Sequence, residues 1–412
     1  MKFIAQKDST MKEGKLLKSY DSKIKVLHPI TRLIIGGAQE NTMLTADHLD
    51  HNLWCVHVLA GPQTGSEGSI INEINDRNIP LFLEPSLVRE INPLKDLKCL
   101  FRLVRFIKKH QYDIVHTHSS KAGIIGRWAA WLANVPVIIH TVHGWGHHDQ
   151  QSFWVRHFYI LLEKITLTIT DQLIAVSGKN IHKGLADGIG KKSNYSVIRS
   201  GIELDRFGYP SISKNDMRKQ LGIPTDAKVI GTVIRLSPQK APLDFINAAA
   251  AIASQINNVY FVIVGDGPLR DQVLRTAKDL NIKDQLIMTG LRRDIPELMN
   301  SFDLFVLSSL WEGLPRVIPQ AMACGIPVIA TAIDGSAEII KNGQNGILVP
   351  PAHPKSIANA VVEVLSNDHL ALTLTNEAYN TVNEYSAQKM VENIESLYAS
   401  FINQKKIKIR NL

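Results

Sequence analysis

Apolar runs alternate with amphipathic stretches along most of the chain, and this pattern predicts alternating strands and helices. The first series of runs is continuously apolar, which is typical of strands that are buried on both faces of a parallel sheet. These runs are IKVLHPI, NLWCVHVLA, IPLFLE, YDIVHTH, VPVIIHT and DQLIAVS. Helical stretches separate them, of which residues 94–110 are the clearest. The alternation predicts a parallel sheet with helices on both faces.

The alternation pauses once and then resumes, so the pattern predicts two domains. Residues 201–228 contain turn-forming residues and one short helical stretch, which indicates an interdomain connection. A second series follows, made of VIGTVIRLS, VYFVIVGDG, QLIMTG, DLFVLSS and PVIATA. We therefore predict an α/β chain of two doubly wound, Rossmann-like domains, residues 1–203 and 204–386, that face a cleft. The C-terminal helix in residues 387–412 is expected to pack back on the first domain.

Length and composition narrow the class of protein. The chain has 412 residues, 45% of them apolar, which suits two domains with full cores and excludes wholesale disorder. No apolar run approaches the ~20 residues of a membrane span, and the first residues lack the apolar block of a signal peptide. Cys55, Cys99 and Cys324 have the spacing of neither a disulfide framework nor a metal site, so we expect a reducing cytosol.

The positive charge is concentrated in the first half of the chain. Residues 1–200 hold 25 Lys and Arg against 17 Asp and Glu, whereas residues 201–412 hold 21 of each. This excess of positive charge suits an anionic partner such as lipid headgroups, a phosphorylated acceptor or nucleic acid. An ordinary basic surface without such a partner explains the charge equally well. No nucleic-acid motif or aromatic interleaving is present, so we expect no nucleic-acid partner.

The helix at residues 94–110 combines an apolar stripe with cations. The stripe consists of Leu97, Leu100, Phe101, Val104 and Ile107. The cations among them are Lys98, Arg102, Arg105, Lys108 and Lys109. We expect the stripe to pack in the core and the basic side to face anionic lipid.

Glycines and cationic residues that are suited to phosphate binding follow two of the predicted strands. Gly36 and Gly37 come after the first strand and open a helix, where backbone N–H groups can approach an anion. Arg235 and Lys240 lie just past a strand of the second series, where the two cations could clamp a diphosphate. The alternatives are that Gly36 and Gly37 form a turn without a ligand, and that Arg235 and Lys240 are solvated loop charges. The chain has no P-loop, no G-x-S-x-G elbow, no H-E-x-x-H and no D-x-D pair.

Histidines follow the fifth strand of the first series. They are His140, His143, His147 and His148. Their spacing matches no common zinc pattern and no cysteine is near, so we predict no metal site. A histidine at the carboxyl end of such a strand is better interpreted as a substrate contact. Lys121, at a helix start after the fourth strand, is a second candidate contact.

The segment SSLWEGLPRVIPQAMACG, residues 308–325, lies between two predicted strands of the second series. A helix is predicted from Leu314 to Ala323, with Pro315 in its first turn and Gly325 at its C-terminal end. Glu312 then precedes the helix and Gln320 lies within it. This segment resembles the E-x7-E segment of retaining glycosyltransferases of family 4. The resemblance extends over the chain after residue 23, through GGAQ, HTHSSKAG, HTVHG, AVSG, SGIELDRF, GTVIRLSPQK, VGDGP and NGILVPP in the order of that family.

The resemblance implies a GT-B fold, with a nucleotide-sugar donor held mainly by the second domain and an acceptor held mainly by the first. It implies that Arg235 and Lys240 hold the donor diphosphate, that Glu312 binds hydroxyls of the transferred sugar and that His143 lies beside that sugar. These four are the predicted catalytic residues. The predicted substrate-binding residues are Gly36, Gly37, Lys121, Gly313, Leu314, Pro315, Arg316 and Gln320.

Gln320 departs from the family pattern, which has a second Glu at this position that commonly contacts the nucleotide ribose. Gln keeps a carbonyl acceptor but loses the charge. A hydrogen bond to a charged group contributes ~1.5–3 kcal/mol against ~0.5–1.5 kcal/mol for a neutral one, so the exchange could cost about tenfold in donor affinity. We interpret Gln320 as a tolerated variant; simple packing within the helix is the alternative.

The expected function is that of a retaining glycosyltransferase that uses a nucleotide-sugar, with UDP the expected nucleotide. The expected acceptor is a lipid-linked or polysaccharide intermediate of cell-surface glycan synthesis. No cofactor or metal is required, and the expected location is the cytoplasm, at the inner face of the membrane. Two alternatives stay open: a nucleotide-sugar epimerase of the same fold, and a basic membrane-binding module without activity.

Overall fold

The computed structural model describes residues 2–3, 23–63, 68–147, 151–333 and 335–406. The chain divides into two compact units, Met1–Gly201 together with Ala387–Leu412, and Ile202–Ser386. The division falls within the segment where the alternation of strands and helices pauses.

The first unit is built on one sheet. Its described strands are β1 (Lys2–Phe3), β2 (Ile24–Ile30), β3 (Trp54–Ala60), β4 (Leu81–Leu83), β5 (Ile114–His118), β6 (Val137–Val142), β7 (Gln172–Ala175) and β8 (Tyr195–Val197). They lie in the order β1-β4-β3-β2-β5-β6-β7-β8, and all neighbours are parallel except β1 with β4. The six predicted runs are β2 to β7, which confirms the first series. Strand β8 escaped prediction because its three residues, YSV, include one exposed and one half-buried position.

Helices connect these strands. They are α1 (Gly37–His48), α2 (Ile71–Asp76), α3 (Pro93–His110), α4 (Ser120–Leu132), α5 (Phe153–Leu167) and α6 (Gly178–Ala186). Helix α3 has strong local signals at both ends. The side chain of Asn92 accepts a hydrogen bond from the backbone N–H of Lys95, Pro93 opens the first turn, and Gln111 ends the helix in the left-handed conformation.

The core-packing prediction for the stripe of α3 is wrong for two of its residues. Leu97 and Phe101 are 52% and 63% exposed. The buried residues of α3 are Cys99, Leu103, Phe106 and Ile107. The helix is apolar on more than one side, so spacing alone could not identify the side that faces the sheet. Phe106 lies on the buried side, where its ring packs edge-on against Phe82 at 4.9 Å between centroids.

The second unit is also built on one sheet. Its described strands are β9 (Lys228–Val233), β10 (Val259–Val264), β11 (Leu286–Gly290), β12 (Leu304–Leu307), β13 (Val328–Thr331) and β14 (Ile347–Val349). They lie in the order β11-β10-β9-β12-β13-β14, all parallel. The five predicted runs are β9 to β13. Together the two sheets confirm the predicted pair of doubly wound α/β domains.

Helices cover this second sheet. They are α7 (Leu204–Gly208), α8 (Lys214–Gln220), α9 (Pro242–Ala253), α10 (Arg270–Asp279), α11 (Ile295–Asn300), α12 (Val317–Ala323), α13 (Ser336–Ile339), α14 (Pro354–Ser366) and α15 (Asp368–Val382). The interdomain segment, where one short helix was predicted, holds both α7 and α8. No helix in the described parts of the chain is long and apolar enough to cross a bilayer.

The last helix, α16 (Ala387–Gln404), belongs to the first unit. It contacts α1, and its residues Met390, Val391 and Ile394 are buried in the same core cluster as strands β2 and β3. Tyr398 of α16 is fully buried and its hydroxyl lies 2.6 Å from Nδ1 of His116 in β5. The C-terminal helix therefore completes the core of the first unit.

Candidate functional site

The second sheet has its topological switch point between β9 and β12. From β9 the chain proceeds to β10 and β11 on one side, and then crosses to β12, β13 and β14 on the other. Such a point opens a crevice at the carboxyl ends of the two strands, where open α/β sheets bind ligands. Arg235 and Lys240 follow β9, and Glu312 follows β12. The fold thus brings three of the four predicted catalytic residues to one switch point.

Two of these residues contact each other directly. The ammonium of Lys240 forms an ion pair with Oε1 of Glu312. The hydroxyl of Ser309 donates a hydrogen bond of 2.7 Å to the same oxygen. The side chains of Lys240 and Glu312 are only 21% and 8% exposed. Oε2 of Glu312 accepts no hydrogen bond from any residue that the structure describes, so the carboxylate is fixed in orientation and retains an acceptor for a ligand hydroxyl.

Buried hydroxyls hold the loops that carry this pair. Ser308 donates to the carbonyl oxygens of Lys240 and Ala241, at 3.0 and 3.1 Å. Thr331, at the end of β13, donates to the carbonyl of Ser309 at 2.5 Å. Ala241 has φ of +43°, a left-handed conformation that is costly for a residue with a Cβ and that clusters at functional sites. Sequence reasoning missed these supports, although their signal was a hydroxyl just after or at the end of each buried strand.

The loop before α12 contains Gly313, Leu314, Pro315 and Arg316. Leu314, Pro315 and Arg316 are buried. The sequence placed the helix start at Leu314, whereas α12 begins three residues later, at Val317. These four predicted substrate-binding residues therefore lie in the loop that leads into the helix.

Gly335, in the loop after β13, supports the same segment by close approach. A Cβ at this position would lie 2.1 Å from the carbonyl oxygen of Gly313. Only glycine allows the two backbones to approach this closely. The backbone around Gly313 is therefore fixed by the next loop as well as by its own, which the sequence did not indicate.

Gln320 and Arg235 differ in their surroundings. Gln320 lies inside α12 with 9% of its surface exposed, and its side-chain amide forms no hydrogen bond with a described residue. Arg235 is exposed on the loop after β9. Both positions leave the side chain able to meet a ligand at the switch point, and their substrate contacts stay predictions.

The first sheet has its own switch point, between β2 and β5. Gly36 and Gly37 follow β2, and α1 begins at Gly37 as predicted. Lys121 is in the first turn of α4, after β5, but its ammonium lies 2.6 Å from Oδ1 of Asp96 on α3. The charge of Lys121 is therefore balanced within the unit, and its predicted substrate contact would have to share the ammonium with Asp96.

Ser119 and Thr31 join the two loops at this switch point. Their hydroxyls are 2.7 Å apart, and the backbone N–H of Thr31 donates to Oγ of Ser119 at 3.1 Å. The hydroxyl of Thr31 in turn accepts from the backbone N–H of Ala122 at 3.1 Å. Ser119 has φ of +62°, so strained backbone marks the first switch point as it does the second.

Four imidazoles lie together at the switch point of the first sheet. His28 of β2 and His116 and His118 of β5 share one face of the sheet and are fully buried. Nδ1 of His28 lies 2.9 Å from Nε2 of His118, and Nδ1 of His118 lies 3.1 Å from Nε2 of His143. Burial lowers the pKa of His28 to about 3, and burial together with the neighbouring imidazoles holds the pKa values of His116 and His118 well below the ordinary value. These rings are therefore neutral at physiological pH.

The histidines that the sequence singled out are divided by the fold. His140 points to the other face of β6, where Nδ1 lies 2.9 Å from the hydroxyl of Thr117. His147 is bonded to Asp187 at 2.8 Å, and His148 lies outside the described residues. His143 alone joins the cluster at the first switch point. His116 and His118 were missed, although two histidines two residues apart on a strand must share a face.

A metal ion could be considered at this cluster, because ligand nitrogens of His28, His116 and His118 lie within 4.8 Å of one another. Neutral imidazole nitrogens are suitable zinc ligands. However, both nitrogens of His116 bond to hydroxyls, of Tyr398 and Thr141, at 2.6 Å each. Apart from Nε2 of His28, the nitrogens of these three rings already bond to other imidazoles or to these hydroxyls, so we interpret the cluster as a hydrogen-bonded network.

Comparison with known proteins identifies a family. Residues 35–206 match the family model described as Glycosyltransferase Family 4, and residues 213–381 match Glycosyl transferases group 1. The chain is 36% identical, over 94% of its length and all of the relative's, to the UDP-Gal:alpha-D-GlcNAc-diphosphoundecaprenol alpha-1,3-galactosyltransferase of Escherichia coli.

A second relative has a related activity. The chain is 28% identical to the N,N'-diacetylbacillosaminyl-diphospho-undecaprenol alpha-1,3-N-acetylgalactosaminyltransferase of Campylobacter jejuni, over 75% of this chain and 82% of the relative. Among solved structures, HepE of Anabaena in complex with UDP and glucose is similar with a TM-score of 0.78 at 22% identity, over 92% of this chain and 100% of HepE. This likeness supports the two-domain fold.

Proposed function

This chain belongs to glycosyltransferase family 4, and from that premise we propose that it transfers a galacto-configured sugar from UDP to an undecaprenyl-diphosphate-linked sugar. Membership makes the chain a glycosyltransferase of GT-B fold, as predicted, rather than a stand-alone binding module. The two relatives named above both form α-1,3 linkages on diphospho-undecaprenol acceptors. Galactose and N-acetylgalactosamine share an axial 4-hydroxyl, which is why we propose this configuration for the donor.

The observation that carries the proposal is the Lys240–Glu312 pair at the second switch point. In the proposed complex the donor diphosphate lies against Lys240 and Arg235, whose positive charge stabilises the departing UDP. Glu312 accepts hydrogen bonds from hydroxyls of the transferred sugar through the oxygen that is not bonded to Ser309. Because donor binding brings a second anion to Lys240, the ammonium is shared between Glu312 and the diphosphate.

The proposed chemistry retains the configuration of the anomeric carbon. The bond from this carbon to the diphosphate oxygen breaks, and the bond to the acceptor hydroxyl oxygen forms on the same face. The acceptor's proton passes to the departing phosphate oxygen, so the protein needs no carboxylate nucleophile. The two cations supply positive charge at the leaving group, and we propose that the reaction proceeds without a metal ion.

A transfer assay tests this proposal. Undecaprenyl-diphosphate carrying N-acetylglucosamine is incubated with UDP-galactose, UDP-N-acetylgalactosamine, UDP-glucose or UDP-N-acetylglucosamine, and the lipid-linked product is analysed by mass and linkage. We expect an α-1,3-linked disaccharide from one of the first two donors, and none with Glu312→Gln at the same enzyme concentration. Transfer only from the gluco-configured donors would overturn the choice of sugar. Interconversion of UDP-sugars without acceptor would instead indicate the epimerase.

We also propose that the first unit contacts an anionic bilayer, where the lipid-linked acceptor resides. Helix α5 supports this, because its apolar side faces outward. Trp154, Phe158, Leu161 and Ile165 recur at helical spacing and are exposed, with Trp154 80% exposed. Its inward side carries Glu163, whose carboxylate lies 2.7 Å from the buried guanidinium of Arg127 on α4. A helix whose one acidic residue is buried and whose aromatic residues are exposed suits a membrane interface.

Helix α3 adds both apolar and basic groups to this proposed membrane surface. Helix α4 contacts α3 on one side and α5 on the other, so the three helices are neighbours on one face of the sheet. Leu97 and Phe101, which were expected in the core, are exposed beside the basic residues of α3. One predicted cation is otherwise engaged, since Nε of Arg102 lies 3.0 Å from the carboxylate of the buried Glu84.

A further inference from the structure

A chain of buried histidines ends at His143. Nδ1 of His28 faces Nε2 of His118 at 2.9 Å, and Nδ1 of His118 faces Nε2 of His143 at 3.1 Å. His28 and His118 are fully buried, whereas His143 is half-buried at the end of β6. Of these three rings, His118 is the one that bonds to other histidines through both of its nitrogens. Nε2 of His143 therefore forms the last hydrogen bond in this row of rings.

A neutral His118 allows this row of three rings only two arrangements of protons. Each neutral ring carries one N–H and one acceptor nitrogen, and each bond between rings needs one of each. His118 must therefore donate to one neighbour and accept from the other. Either the donors run from His28 through His118 to His143, or they run from His143 through His118 to His28. The protons on the three rings can change only together.

The surroundings of His28, at the buried end of this row of rings, distinguish between the two arrangements. Nε2 of His28 is buried and has no hydrogen-bond partner among the described residues. If the donors ran toward His28, this nitrogen would carry an unpaired N–H in the core. Orphaned buried N–H groups are rare in folded proteins because they lose their bond to water without replacement. The arrangement that leaves this nitrogen unprotonated places the proton of His28 on Nδ1, which then donates to His118.

We propose that His118 is a positioning residue that fixes both the ring orientation and the tautomer of His143. Nδ1–H of His118 donates to Nε2 of His143, and His143 consequently carries its own proton on Nδ1. This inference rests on the proposed function for its consequence in catalysis, since His143 is expected beside the transferred sugar. Nδ1–H of His143 is then the group that would donate to a sugar oxygen, and its direction would be fixed by the bond to His118.

The neighbouring ring provides a control. His116 lies in the same strand and on the same face, 4.4 Å from His118 between ring centroids. Its nitrogens bond to the hydroxyls of Tyr398 and Thr141 instead of to the chain. A substitution at His116 removes a buried imidazole of equal size while leaving the connection between His118 and His143 in place.

The experiment combines ¹⁵N-histidine NMR of the ligand-free protein with transfer kinetics. The variants are His118→Ala, which removes the donor, and His118→Asn, whose amide nitrogen can replace Nδ1 as a donor to His143. We expect His143, assigned by its absence in His143→Gln, to be the Nδ1–H tautomer in wild type, His118→Asn and the control His116→Asn. In His118→Ala we expect mixed tautomers and a kcat lower by ~10-fold or more, with KM for the donor little changed.

Several results would overturn the proposal. One is an Nε2–H tautomer of His143 in wild type; another is an unchanged tautomer in both His118 variants. Equal loss of kcat in His116→Asn and His118→Asn would show that the cluster acts only through stability. The tautomer is measured without substrate, so this part of the proposal stands or falls even if no sugar transfer is found. If His118→Ala does not fold, His118→Leu, which fills more of the same volume and offers no donor, takes its place, and an unchanged tautomer of His143 in that variant would overturn the proposal.

Discussion

Lys240 and Glu312 follow neighbouring strands of the second sheet and form an ion pair, with Ser309 bonded to the same carboxylate oxygen. The pair places the residue expected to hold the diphosphate against the residue expected to hold the sugar. Each therefore neutralises the other before the donor binds. Substitution of one residue must alter the other, because a largely buried charge is left without its partner.

We predict that Lys240→Ala and Glu312→Ala are not additive. Lys240→Ala should weaken UDP binding by ~10-fold, because a charged contact to the diphosphate is lost. Glu312→Ala should lower kcat by ~100-fold or more, because the sugar is no longer positioned. The loss of kcat/KM, expressed as a free energy, should in the double variant differ from the sum of the two single losses by ~0.5–3 kcal/mol, as is typical of residues in contact. Calorimetry with UDP and transfer kinetics measure both quantities, and strict additivity would contradict the pairing.

The strands and the switch points of this protein were predictable from the sequence because both sheets are buried on two faces. Continuous apolar runs then mark each strand, and the residues just after the runs necessarily gather at one edge. For this reason Arg235, Lys240 and Glu312 could be placed after strands of one sheet, and the resemblance to family 4 then implied that they form one site. Strand β14 was harder to predict, since two of its three residues are only half-buried.

The contacts within the site were not predictable, because they depend on loop conformation and on strand register. The Lys240–Glu312 pair requires the left-handed turn at Ala241, which no local sequence signal demands. The bond between His28 and His118 joins residues 90 positions apart. It arises because β2 pairs with β5 in a register that aligns Val26 with Ile114, and this register is a property of the whole sheet.

Arg235 should contribute to donor binding without affecting the fold. It is exposed on the loop after β9, so Arg235→Ala removes a charge at low structural cost. We expect UDP affinity to fall by ~10-fold with an unchanged melting temperature. Arg275→Ala, which removes another exposed guanidinium, from α10, is the control and should bind UDP like wild type. Equal affinities of the two variants would mean that Arg235 does not contact the diphosphate.

Chelation of divalent metals should leave transfer intact. We propose that Arg235 and Lys240 supply the positive charge at the diphosphate that a metal ion supplies in other enzymes. We expect the initial rate with excess EDTA to equal the rate with added Mg²⁺ or Mn²⁺. Loss of transfer in EDTA that is reversed by a metal would contradict the proposal. The cluster of His28, His116 and His118 would then be the first place to search for the ion.

The buried histidines should make the protein sensitive to mild acid. The pKa of His28 is lowered to about 3 and that of His57 to about 4, mainly by burial, and those of His116, His118 and His140 are also held well below the ordinary value. Below pH ~6.5 the unfolded chain binds protons at these residues that the folded chain does not bind. Stability is therefore complete above that pH and decreases as pH falls toward the folded-state values.

Each such histidine lowers the free energy of unfolding by ~1.4 kcal/mol per pH unit within this window. We expect urea denaturation to show a steep loss of stability between pH ~6.5 and ~5. The slope should be smaller in His118→Asn, which removes one titrating group. A flat profile over this range would mean that the cluster is accessible to protons in the folded state.

The outward side of α5 should control binding to membranes. Full burial of a large apolar side chain contributes ~1.5–3 kcal/mol, and a well-placed cation near anionic lipid contributes ~1 kcal/mol. We therefore expect wild type to float with anionic vesicles at low salt, to bind less at high salt, and not to float with neutral vesicles. Trp154→Ser with Phe158→Ser should weaken binding by ~10-fold or more at every salt concentration. Lys98→Glu with Lys108→Glu should weaken it chiefly at low salt, where the Debye length is long.

Leu372→Ser with Tyr209→Ser, which removes equally exposed apolar groups from the second unit, is the matched control and should bind like wild type. Wild-type flotation by the α5 variant would contradict the membrane surface, and equally strong binding of wild type to duplex DNA would show that charge alone is responsible.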